Sequence, residues 1–90
     1  MKYVLTRQAE EDLIEIYLYG LKVFGPLQAE KYHHSIEKAF ERIAENHKMF
    51  PLALHIREGY RYCVHISHTI FFTVEDRVRI VRIIGKQKFP

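Results

Sequence analysis

Ninety residues, 48% hydrophobic and 28% charged, describe one folded domain spanning residues 1–90 and exclude a disordered or fibrous chain. The single cysteine, Cys63, excludes an internal disulfide; with no cationic start before an apolar stretch, and no run near the ~20 residues that cross a bilayer, a soluble cytoplasmic protein without a membrane partner is expected. The formal net charge of +3 is uneven, because Met1–His55 hold seven basic and eight acidic residues whereas Ile56–Pro90 hold seven basic and three acidic ones, an asymmetry that favours an acidic partner.

Lys2 to Leu5 reads as a short opening strand. Thr6 then suits a helix N-cap, since its hydroxyl accepts from an amide two or three residues on. Ala9, Leu13, Ile16, Gly20 and Phe24 recur at helical spacing, with Leu21 widening the stripe. Glu10, Glu11, Asp12 and Glu15 complement the positive end of that helix. Gly25 ends it as a left-handed residue, and Pro26 opens a second helix, where its missing N–H is no loss. That helix is predicted to run to His47 on a stripe of Ala29, Tyr32, Ile36, Ala39, Phe40, Ile43 and Ala44, and the one-residue connection forces an antiparallel hairpin.

After Pro51 the pattern changes to period two. Tyr60, Tyr62, Val64 and Ile66 fall on one face of a half-buried strand, with Arg61, Cys63 and His65 on the other. Thr69–Val74, a turn at Glu75–Arg77, and Val78–Ile84 follow, giving an antiparallel meander. The fold class is therefore α+β: an N-terminal strand, then an antiparallel two-helix hairpin packed on one face of a C-terminal antiparallel sheet.

Little of this suggests catalysis. His33 and His34 diverge by about 100° on a helix, and His65 and His68, three apart on extended chain, are expected to point to opposite faces, so no metal site is read. Cys63 has no nucleophile motif around it. Gly85-Lys86 lacks the glycines and following helix of a phosphate cradle. There remains a cationic set, Arg57, Arg61, Arg79, Arg82, Lys86 and Lys88, able either to bind the carboxylates of a protein partner or to stabilise the transition state of phosphodiester cleavage. Cleavage would also require an acid and a base from His65, His68, Tyr60 or Tyr62. Within the apolar last strand, Arg79 and Arg82 are expected to reach a partner face or the sheet's end, unless Arg82 pairs internally with Glu58 or a helix carboxylate.

The order of elements, together with Leu5-Thr6, Asp12-Leu13, Ile16-Tyr17, Phe24-Gly25, Ala44-Glu45-Asn46, Ile56-Arg57-Glu58-Gly59-Tyr60-Arg61, Ser67-His68, Ile70-Phe71-Phe72 and Val81-Arg82-Ile83-Ile84, resembles the ParE/RelE superfamily of bacterial toxins, in particular its ParE branch. That resemblance implies a toxin that needs no cofactor, is neutralised by an antitoxin and binds DNA gyrase. The RelE-like alternative is a ribosome-dependent mRNA nuclease using Arg61, His65, Arg82 and Lys86, the one case in which nucleic acid is a partner. The arginines such nucleases carry align with Val64 and Gln87 here, and a histidine that often follows the last strand in ParE proteins aligns with Gly85. Apolar residues in excess of one small core, Tyr17, Leu18, Leu21, Tyr32, Phe50 and Leu54, are expected to form an antitoxin groove beside the hairpin, with Arg57, Arg61 and Arg82 supplying charge. Lys86, Lys88 and Phe89 in the tail are expected to touch the target.

Overall fold

The computed structural model describes residues 2–85 and gives the α+β architecture expected. Strand β1 (Tyr3–Leu5) leads into helix α1 (Arg7–Phe24). Helix α2 (Pro26–Asn46) returns antiparallel to it and tightens into a 3-10 turn at His47–Met49. Strands β2 (Arg61–His65), β3 (His68–Val74) and β4 (Val78–Gly85) complete the chain.

Local chemistry sets the boundaries. The Thr6 hydroxyl accepts from the Ala9 amide at 3.1 Å, the N-cap its type predicts. Gly25 closes α1 by donating to the Gly20 and Leu21 carbonyls. Its φ of 88° comes with a ψ of 169°, so the backbone is not left-handed helical, as expected from sequence, but lies in a region essentially open only to glycine. Gly25→Ala should therefore cost about 2 kcal/mol by backbone strain alone. Nothing lies within 4 Å of the added Cβ, so a urea midpoint unchanged by this substitution would reject the strain argument. At the other close point of the hairpin, a Cβ on Gly20 would come to 3.2 Å from Ala29 Cβ.

The sheet order is β1-β4-β3-β2, with β1 parallel to β4 and the other pairs antiparallel. The last of the described strands is thus an interior one. Ala9, Ile36, Phe40 and Ile43 from the helices pack on Ile70, Phe72, Val78, Ile80 and Ile83, a single core on one face of the sheet. Register shifts between Phe71, paired with Arg82, and Phe72, paired with Ile80, so Val81 is the extra residue of a bulge.

Strand β2 presents its faces in an order hydrophobicity would not suggest. Cys63 and His65 are buried, while Val64 and Ile66 are exposed. The helices cover the Cys63 face. Residues 51–60 border the outer one, where Leu52 bridges to Arg61, the Ala53 amide donates to Tyr60 O at 2.7 Å and the His55 ring stands edge-on to Tyr62.

Candidate functional site

Where β1 stops at Leu5, the edge of β4 that it covered would be left open. The start of α1 takes over. Thr6 donates from its hydroxyl to Val81 O at 2.9 Å, and an Asp12 carboxylate oxygen accepts the Ile83 amide at 2.9 Å. The same carboxylate takes two guanidinium bonds from Arg82, at 2.8 and 3.1 Å. Burial alone would raise the Asp12 pKa, but the Arg82 hydrogen bond, the Ile83 amide, the Arg82 charge and Gln8 outweigh it, and the carboxyl sits below its ordinary value. The bond to Asp12 raises the Arg82 guanidinium correspondingly. The helix carboxylate, not Glu58, is the internal partner of Arg82, whose side chain remains 42% exposed.

The other cationic residues do not converge on it. Arg61 donates to Phe50 O at 2.7 Å, which ties β2 to the chain leaving α2. Arg57 and Arg79 are exposed. Of the possible nuclease set, Arg61 and His65 stand on β2 and Arg82 on β4, with β3 between them, a separation of roughly 10 Å from strand spacing alone. Lys86, the fourth member, and Lys88 and Phe89 lie outside the described residues.

His65 is 9% exposed and faces α2. It is opposite His68 in the β2–β3 pair, so the two histidines share a face, contrary to the expectation from extended spacing, because the two-residue turn between them reverses the chain. Both meet α2: Ser35 Oγ lies 2.9 Å from His65 Nε2, and Tyr32 Oη 2.6 Å from His68 Nδ1. Among the described residues no three His, Cys, Asp or Glu side chains gather as metal ligands would. Cys63 is buried, which pushes its thiol pKa up despite the nearby Arg42 charge and leaves it a weak nucleophile.

The six apolar residues expected to form one groove divide into three groups. Tyr32 is turned to the histidines, and Phe50 stands edge-on to Phe72 at the core margin. Tyr17 is half-buried against His33, beside half-buried Leu21 and Leu18, which is 57% exposed. Leu54 is exposed in the connection between α2 and β2. Sequence reasoning missed Ile14, which is exposed and stands four residues before Leu18 and seven before Leu21. That spacing puts the three on one line of α1, turned away from Ala9 and Ile16. The helix therefore has two apolar seams, one in the core and one open; the signal was the 4–3 spacing, read for the first seam only. Val23, Phe24 and Leu27 extend the exposed apolar surface around the hairpin tip.

Residues 3–88 match the family described as ParE toxin of type II toxin-antitoxin system, parDE. Toxin ParE1 of Caulobacter vibrioides is 37% identical to this chain over 82 residues, covering 91% of it and 85% of the relative. Toxin ParE1 of Mycobacterium tuberculosis strain H37Rv is 33% identical over 88 residues, covering 96% and 90%. A solved chain of the chromosomal ParDE TA system from P. aeruginosa superposes with a TM-score of 0.83 at 23% identity, covering 94% of this chain and 95% of its own, a likeness of fold.

Proposed function

The chain belongs to the ParE toxin family of type II toxin–antitoxin systems, and we propose that it acts in the cytoplasm as an inhibitor that binds DNA gyrase and is neutralised by a cognate antitoxin. The reading needs neither cofactor nor metal. The observation that carries it is the commitment of the basic side chains to structure: Arg82 is held by Asp12 and Arg61 by the Phe50 carbonyl, on strands separated by β3. Groups so placed do not flank one phosphodiester, whereas a protein partner requires no such convergence. The open seam of Ile14, Leu18 and Leu21 fits the apolar face of an antitoxin segment that folds as it binds.

Purified protein tested in a gyrase supercoiling assay beside a ribosome-dependent mRNA cleavage assay decides the mode of action. Supercoiling is expected to be inhibited and mRNA left intact; cleavage without gyrase inhibition would make the chain a nuclease, and neither activity would make it an inactive antitoxin-binding relative. Deleting Lys86–Pro90 tests the target contact assigned to Lys86, Lys88 and Phe89. Antitoxin affinity and melting temperature should stay nearly unchanged while growth arrest weakens. Full toxicity of the shortened chain would remove the tail from the target interface.

A further inference from the structure

Beyond toxin activity, we propose that Tyr32 and Ser35 on α2, with His65 and His68 on the β2–β3 hairpin, form an acid-sensitive latch that holds the helical hairpin to the sheet and loosens when His65 takes up a second proton. The sense of the hydrogen bonds follows from their number. The Ser35 hydroxyl has one proton and donates it to Tyr32 O at 2.7 Å. Its 2.9 Å contact with His65 Nε2 must therefore be one in which the imidazole donates and Ser35 accepts. That fixes the His65 tautomer with hydrogen on Nε2, and the next proton has to enter at Nδ1.

A charge there is poorly received. His65 is buried, and the groups facing it are Tyr32, Ser35 and cationic Arg42 from α2, His68 across the strand pair and the neutral thiol of Cys63 on its own strand. Burial first and the Arg42 charge second lower its pKa from the ordinary histidine value. Tyr32 is constrained in the same way. Its hydroxyl lies 2.6 Å from His68 Nδ1, with a longer 3.5 Å contact to His65 O as the alternative acceptor, and burial raises its own pKa although the Ser67 amide bonds to it. His65 keeps its Nε2–H bond to Ser35 when it charges, so what opposes its second proton is burial beside cationic Arg42.

The latch also works against strain. Ile66, the first residue of the turn between the two histidines, has φ 54°, a region unfavourable for a β-branched side chain, and its side chain is exposed with little packing to hold it there. Contacts with α2 on either side of the turn keep it in place, so a charged His65 that is better solvated outside its buried seat favours relaxation of the hairpin end.

The sign of the pH effect follows by linkage. An imidazole whose native pKa is depressed binds fewer protons than in the opened state, so protection is complete above the free value of about 6.5 and declines as pH falls towards the lower native value. Between pH 7.5 and 5.5 the opening equilibrium should rise by up to about tenfold. Amide exchange at residues 65–68 and at Tyr32–Ser35, corrected for intrinsic rates and compared with the Phe40–Ile43 stretch of α2, reads that change directly. His65→Gln retains an N–H for Ser35 but cannot titrate, and its local protection should be the same at both pH values. In wild type, the His65 imidazole should titrate below 6.5 by NMR. Titration at or above 6.5, or a pH-dependent loss in His65→Gln equal to that in wild type, would overturn the latch. If the variant fails to fold, the wild-type titration decides alone.

Discussion

Replacing Asp12 with alanine should lower stability by about 3 kcal/mol, the largest loss expected from any single charged side chain of this fold. The carboxylate side chain is 7% exposed and accepts the Ile83 amide as well as two bonds from Arg82. Its removal leaves an amide of an interior strand without an acceptor, a cost of roughly 1–3 kcal/mol, together with loss of the charged bonds. For a domain of this size that shifts the melting temperature by roughly 12–24 °C. Arg82→Ala should cost less, about 1–2 kcal/mol, because the guanidinium it removes is half-exposed, with its charge screened by water, and the remaining carboxylate keeps the Ile83 bond. The acid side supplies an independent measurement. Since the native Asp12 pKa lies below its ordinary value of 3.8, this stabilisation is present above about pH 4 and disappears as pH falls through the lower native value. Urea unfolding of the two chains from pH 7 to pH 2 should therefore converge at the acid end, and a loss under 1 kcal/mol at pH 7 would mean that the clamp contributes little.

Leu18→Asp should reduce affinity for the antitoxin by roughly 30- to 1000-fold, or about 2–4 kcal/mol, while leaving the free toxin's stability within about 0.5 kcal/mol. Leu18 is 57% exposed in the free chain, so little packing is lost there. In a complex over the Ile14–Leu18–Leu21 seam its side chain would be near the centre, where burying a carboxylate costs its hydration. Met49→Asp, at an exposed apolar position beyond the end of α2, is the matched control and should bind normally. Equal affinity of the Leu18 variant and wild type by calorimetry would place the antitoxin elsewhere.

The helices were legible because their signals are local. Thr6 caps where a threonine should, Gly25 and Pro26 mark the hairpin, and Ile36, Ala39, Phe40, Ile43 and Ala44 are buried on the side their spacing gives. The meander was legible for the same reason, from alternating runs with short turns. Pairings between distant segments were not. Nothing in Tyr3–Leu5 specifies a parallel partner at Val78–Ile80, and nothing in Asp12 alone distinguishes an N-terminal helix charge from the ligand of Arg82, 70 positions away. The polarity of β2 was misleading because Cys63 and His65 can be buried once α2 brings Ser35 to the imidazole, whereas Val64 remains outside. The proposed groove likewise assumed that aromatic residues in excess of the core are open, yet Tyr32 and Phe50 have internal partners.

The position of β4 between β1 and β3 bears on how the chain comes off the ribosome. Translation delivers the helices early, but β4, the inner strand that closes the core, comes last of the described strands. Until it emerges, β1 has no neighbour, Phe72 lacks Ile80 across from it, and Thr6 cannot reach Val81, 75 positions downstream. Such long-range closure is slow relative to helix formation, and the intermediate leaves β3 with an unpaired edge. A nascent chain halted before Val78 thus has the helical hairpin and the β2–β3 pair without the strand that joins them to β1. The described sheet closes only when β4 has been made, so termination before Val78 yields an incomplete core instead of a weaker toxin.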